Sequence, residues 1–347
     1  MLRGLIAVSY ALSHMRTSFF YRLVISGLWL GLASFGVSAQ SLLVVNQGDA
    51  NVSIVDAATA KQVATIEEKT PGIHGHEIAV SADGRTAYLP IYGSTGVGKP
   101  GIDGHEMLVL DLPSRKIIGH VEFGHGVRPH LPVLDEAHGV LYVTTELDKS
   151  ISVIDLKSLK IVGSVPTGQE QSHMLALSHD GKRGYTANVG PGTVSVLDMA
   201  GRKTLAVIPV SGTVQRISVS MDDKLVFTAD QKKPQLAVID TATNKVTGEV
   251  PLPGLGYGTA STLDGRWLLV AVPAKNQVAV VDLKSMQVVK TIDVAAAPQE
   301  VLMRPDGKMA YVACMGAAKV AAIDLEGWKV QELIDVGKND DGLGWAK

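Results

Sequence analysis

Histidine is the residue whose spacing in this chain most readily suggests chemistry. Three of the ten, namely His76, His130 and His173, each lie twelve residues ahead of a tyrosine (Tyr88, Tyr142 and Tyr185). The same offset in later segments reaches Gln215, Tyr257 and Gln299, with Asp341 at the corresponding place near the C-terminus. Structural equivalence of these seven positions would gather imidazoles on one side of the set. His74 precedes His76 by two residues, so an extended segment puts both on one side. His125 and Arg128 lead into His130, and His105 follows a run, Gly93 to Gly104, that interrupts an otherwise regular spacing. Six histidines are therefore expected in one sector of one face. Glu77, Glu106, Glu146 and Glu170 are near them in sequence, and Gly-His-Glu occurs at 75–77 and again at 104–106.

Converging imidazoles suit a borderline metal ion. One reading is a single transition-metal ion (Cu, Zn or Fe) held by His76, His130, His173, His74 and His105. A second is a metal-free pocket for a small polar or anionic ligand, with Arg128, His125, Gln215, Tyr257, Gln299, Asp341 and Glu106 around the same histidines. A third is that the histidines only hydrogen-bond loop backbone. In a catalytic version, a hydrolase or lyase, the ion polarises a carbonyl or activates water, and His105 or Glu106 serves as base or substrate contact.

Other residues are assigned quieter roles. His138 and His179 are expected in turns on the opposite face and His120 in an outer strand, all solvated. Cys314 is the only cysteine, so no intramolecular disulfide forms. It ends a strand in the last repeat, directed toward the functional face but away from the histidines. The sequence has no Cys-x-x-Cys-His, no Gly-x-Ser-x-Gly and no strand-to-helix phosphate loop. Gly93-Ser-Thr-Gly-Val-Gly-Lys99 reads as a lid or loop. Beyond the histidines themselves, no residue argues for a bound haem.

These side chains are positioned by a repeat. An aspartate ends an apolar strand in SIVD (Asp56), LVLD (Asp111), SVID (Asp155), SVLD (Asp198), AVID (Asp240), AVVD (Asp282) and AAID (Asp324). The intervals are 55, 44, 43, 42, 42 and 42 residues, and the long one contains the Gly93–Gly104 run. Each unit carries four strand signals, with Asp-Gly pairs at 83–84, 180–181, 264–265 and 306–307 marking the first hairpin. Seven copies of four short strands imply an all-β chain: a seven-bladed β-propeller with four-stranded antiparallel blades. Ser41–Asn46 resembles only a second strand and Gly342–Ala346 only a first. The N- and C-terminal strands are therefore expected to share one blade and close the ring. The repeated aspartates are expected to accept backbone N–H bonds in the following turn.

Composition agrees with many short strands, being 46% hydrophobic with 36 glycines. Residues 1–39 read as a signal peptide, with Arg16 and Arg22 before an apolar run from Leu23 to Phe35 and Val37-Ser38-Ala39 at the cleavage site. Met15 is a second candidate start, and the propeller would occupy 40–347 as one domain. The apolar run is short for a membrane span, so a periplasmic or secreted protein without a stable anchor after cleavage is expected. The net charge is −2, and removal of Arg3, Arg16 and Arg22 with the leader makes it −5. Nucleic acid is therefore not an expected partner. A small polar ligand or a periplasmic protein is.

Leu141-Tyr-Val-Thr144, Ala310-Tyr-Val-Ala313 and the strand-plus-Asp signature resemble the YVTN-repeat (YncE-like) β-propellers over essentially all of residues 40–347. That resemblance implies an extracytoplasmic propeller and leaves its ligand open. Lactonase propellers and the haem d1 domain of nitrite reductase are more distant relatives by architecture. No catalytic motif of either maps onto these residues.

Overall fold

Residues 40–347 are described by a computed structural model of the chain; the expected signal peptide at 1–39 lies outside them. Seven small antiparallel sheets form the ring expected of a seven-bladed propeller. Asp340–Ala346 pairs with Ser41–Asn46, which continues through Asn51–Asp56 to Lys61–Glu67. This blade, numbered 1 here, joins the two ends of the chain as expected. Blades 2 to 7 follow in sequence order, and blade 7 begins at Pro298–Met303. Among the described residues no helix is long and apolar enough to cross a membrane.

The core lies between blades. Leu43, Val52 and Ile54 of blade 1 meet Leu89, Ile91 and Leu108 of blade 2, and the other blade contacts are filled in the same way. Alternation supplies this packing: the middle strands of each blade are apolar on both faces because each face meets a neighbouring sheet. Fourth strands such as Lys61–Glu67 are exposed along most of their length, as suits the outer rim.

The repeated aspartates have the capping role assigned to them. Asp56 accepts a bond from Thr59 N at 2.8 Å, Asp155 from Ser158 N at 2.7 Å, Asp198 from Gly201 N at 2.9 Å and Asp240 from Thr243 N at 2.8 Å. The Asp-Gly hairpins turn at glycines with positive φ, +70° at Gly84 and +68° at Gly181, where a side chain would be strained.

Candidate functional site at the channel mouth

The innermost strand of each blade is broken or bulged where the sequence offset places the seven polar residues. In blade 2 the strand stops after His74–Gly75 and resumes at Ala79–Val80, leaving His76 and Glu77 between. Register shifts bracket His130 in blade 3, His173 in blade 4, Gln215 in blade 5, Gln299 in blade 7 and Asp341 in blade 1. In blade 6 Tyr257 sits ahead of the short strand Thr259–Ser261. A bulge re-aims the residue it contains, so one local device turns polar side chains toward the axis in blade after blade. Second-strand threonines satisfy the backbone this disturbs: Thr144 Oγ1 accepts from Leu131 N at 2.8 Å and donates to His173 O at 3.0 Å. The Tyr-Val-Thr motif thus supports the site as well as the fold.

Four histidines meet there. The His76 and His130 rings are 5.3 Å apart, His130 and His173 only 3.6 Å, and His74 stacks on His76 at 5.1 Å. Tyr92, fully buried, lies 4.7 to 5.7 Å from the His76, His130 and His173 rings. His76, His130 and His173 are themselves buried. Each has a partner behind it. His76 Nδ1 faces Asp341 Oδ2 at 3.9 Å, His173 Nδ1 faces Glu146 Oε2 at 3.2 Å, and His130 packs against the His173 ring. Tyr92 donates its hydroxyl to the same Glu146 oxygen at 2.6 Å.

Among the described residues, His76 Nε2 and His130 Nδ1 have no hydrogen-bond partner, and neither has His74 Nδ1. Burial first, and the neighbouring imidazoles and Arg216 second, hold His76 and His130 well below the usual histidine range. Burial thus favours the neutral imidazole at both positions. Burial pushes Glu146 up, but the hydrogen bonds and charge of His173, with Tyr92 and Arg128, outweigh it and leave the carboxyl low.

Arg216, Glu300 and Glu77 complete the channel. Of these, the sequence points to Glu77 alone, through its nearness to His76 and the Gly-His-Glu at 75–77. Arg216 is buried, with Nη1 2.6 Å from Glu77 Oε1 (a contact too bent to count as a hydrogen bond) and Nη2 donating to Asp341 Oδ1 at 2.9 Å. Its guanidinium lies 5.2 Å from the Tyr257 ring, and Tyr257 Oη accepts from Gln215 Nε2 at 3.1 Å. Gln47 Nε2 donates to Asp341 Oδ2 at 2.6 Å, and Glu300 accepts from Leu343 N at 2.6 Å. Burial raises Glu77, Glu300 and Asp341 against the pull of Arg216, Glu300 to about 7. A signal for these residues exists: Glu77, Arg216 and Glu300 each directly follow an offset position.

Several expectations need correction. His105 and His125 do not join the cluster; they are half-exposed or more, beside Glu122 at 3.9 Å and Asp148 at 2.9 Å. Glu106 is also elsewhere, bonded to His120 at 2.6 Å. His105 and Glu106 lie on strand Asp103–Asp111, which carries them outward along blade 2. Arg128 is buried behind Tyr92, 5.6 Å from its ring. It bonds Asp103 and the Lys99 carbonyl, so it pins the inserted loop. Cys314 is fully buried in the apolar core between blades 6 and 7 and does not reach the functional face. His138 and His179, by contrast, are solvated turn residues as expected, half-exposed beside Asp135 and Asp223.

No three donor atoms of the histidine cluster lie within 4.8 Å of one another; among the described residues only Glu106, His120 and Glu122 form such a group. A cavity of about 560 Å³ lies beside the site, lined by Lys99, Arg128, Glu146, Lys149 and Gln171 among others.

The cytochrome D1 heme domain model matches residues 101–305, more than half of the chain. The chain belongs to the cytochrome D1 heme domain family. The matched span contains His130, His173, Arg216 and Glu300; His76 and Asp341 lie outside it. The motif resemblance to YVTN-repeat propellers holds at the level of the seven-bladed fold, whereas this is the family shown. Among solved structures, hydrazine synthase of Kuenenia stuttgartiensis is similar with a TM-score of 0.71 at 21% identity, over 83% of this chain and 93% of that one. Dihydro-heme d1 dehydrogenase NirN in complex with DHE is similar with a TM-score of 0.64 at 14% identity, over 88% of this chain and 75% of that one. At these identities the likeness speaks to the fold. No curated protein matches the sequence.

Do the residues of this cytochrome D1 heme domain protein suit an iron tetrapyrrole? Their donors do: two buried imidazoles each present a nitrogen with no hydrogen-bond partner among the described residues, with Asp341 3.9 Å from His76 and the His173 ring against His130.

Proposed function

We propose that this is an exported ligand-binding propeller whose ligand is an iron tetrapyrrole of the haem d1 kind, held at the channel mouth by His76 or His130. The observation that carries the proposal is the pair of free, neutral imidazole nitrogens in the closed ring of bulged first strands. The family match agrees with it, as does the similarity to dihydro-heme d1 dehydrogenase NirN in complex with DHE. An iron already held by a macrocycle needs one protein nitrogen, whereas a bare zinc or copper ion needs three or four converging donors, which the tilted His130 and His173 rings and their neighbours do not offer. Bound iron would supply the redox or ligand-exchange chemistry, and His76 or His130 would hold it among the polar groups of the channel. The adjoining cavity is polar, with Lys99, Arg128 and Lys149 set among Asp103, Glu146 and Glu170. Export rests on the leader at 1–39.

The test is titration of purified residues 40–347 with hemin and with haem d1, read by visible absorption. We expect one equivalent bound with a nitrogen-ligated spectrum, and loss of that spectrum in His76→Ala or His130→Ala. Because burial already keeps these imidazoles deprotonated, affinity stays flat as pH falls from 8 through 6.5; an ordinary exposed histidine would begin to protonate there. Absence of binding, or the wild-type spectrum in both variants, refutes the proposal.

A further inference from the structure

A second cluster of donors lies outside the channel, on the outer strands of blade 2. We propose that Glu106, His120 and Glu122, with His105 beside them, form a surface site for a divalent transition-metal ion of the zinc, copper or nickel class.

Glu106 and Glu122 are directly paired across the strands Asp103–Asp111 and Lys116–Glu122. His120 is two residues before Glu122 on the same face of its strand, and its Nδ1 is 2.6 Å from Glu106 Oε2. One donor atom from each of the three lies within 4.8 Å of the other two. His105 Nε2 is 3.9 Å from Glu122 Oε2, which brings a second imidazole to the edge of the group. Tetrahedral zinc with N and O bonds of about 2.0–2.2 Å needs donors roughly 3.3–3.5 Å apart. Small rotations of exposed side chains cover the difference.

The repeat supplies an independent argument. At the equivalent cross-strand pair, blade 1 has Asn51 opposite Glu67, blade 6 has Gln277 opposite Asp293, and blade 7 has Lys319 opposite Asp335. Blades 3, 4 and 5 have Ser150, Thr193 and Gln235 opposite proline. Every other acid at this place therefore faces an amide or a lysine, and Gln277 and Lys319 bond theirs. Blade 2 alone sets carboxylate against carboxylate, an arrangement that destabilises a strand pair, and adds an imidazole where the other blades have Thr65, Ser164, Val207, Glu249, Thr291 and Leu333. A cation between the carboxylates removes the repulsion. One or two nitrogens with two carboxylates favour a borderline transition ion over calcium or magnesium, which prefer oxygen-only shells. His120 and Glu122 are exposed, so further coordination positions are open to water.

The test uses untagged residues 40–347 and Zn²⁺ alone, followed by calorimetry and thermal melting, with Cu²⁺ paramagnetic resonance to identify nitrogen ligation. We expect one equivalent to bind in the wild type and in His76→Ala/His130→Ala, which separates this site from the channel. Affinity should drop by more than about tenfold, the lower end of what even outer-shell changes cause, in His120→Ala and in Glu106→Gln. Metal-free Glu122→Gln should melt above metal-free wild type, because the like-charge pair is gone, and its melting temperature should ignore zinc. Zinc affinity unchanged in His120→Ala, binding lost with the channel histidines, or no binding at millimolar zinc would each overturn the proposal.

Discussion

Replacing Arg216 by methionine removes the guanidinium that Glu77 and Asp341 touch at 2.6 and 2.9 Å, while keeping much of its volume in the channel. Glu300, half-buried nearby, loses the same counter-charge. Breaking a buried ion pair by deleting one partner costs about 3–5 kcal/mol. With an unfolding entropy of about 2.1 cal/mol/K per residue, a chain of this size should then melt roughly 5–8 °C lower. The deficit should depend on pH, with a definite sign. Burial holds these carboxyls above their ordinary range, Glu300 rising from 4.5 to about 7. Between those values the folded chain binds more protons than the unfolded one, so stability falls as pH rises. Arg216 limits that rise, and without it the folded values climb further. The variant should therefore lose stability more steeply between pH 5 and 8, and its deficit should shrink toward pH 5. Calorimetric melting across that range measures both effects. A second substitution, Glu300→Gln, should recover part of the loss. Equal melting temperatures, or a deficit the same at pH 5 and pH 8, would refute the view that Arg216 acts as the counter-charge of the channel.

Two further outcomes are expected. Tyr92→Phe deletes a buried hydroxyl bonded to Glu146 at 2.6 Å and should cost about 1–3 kcal/mol in urea denaturation; an unchanged midpoint would show that the bond contributes nothing. The Cys314 thiol is buried, which pushes its pKa up to about 12, so a thiol reagent at pH 8 should label it only on unfolding. Rapid labelling of the folded protein would contradict the burial.

The fold was legible because its information is local and repeated. Each aspartate from Asp56 to Asp324 caps its own turn, and each Asp-Gly pair turns its own hairpin, so periodicity in the chain is periodicity in space. The offset that aligned His76, His130 and His173 survived for the same reason. The site was legible only where it shared that period. His105, Glu106 and His125 flank the cluster in sequence, yet they point outward, because strand alternation and the path of the inserted loop set their direction. Arg216 was overlooked because a regular strand sends neighbours to opposite faces. The bulge between Val214 and Ile217 breaks that rule and brings Gln215 and Arg216 to the same channel.

Sequence by itself determined the number of blades, the closure through Ser41–Asn46 and Asp340–Ala346, and the ring position of the histidines, since each follows from contacts within one repeat or its neighbour. Tertiary structure decided which histidines are neutral, which nitrogens are free, and which carboxylates share Arg216. Residues 77, 216, 300 and 341 belong to four different blades. Their charges interact only once the ring has closed and water has been excluded from its axis, and neither condition is written in the spacing of any one repeat.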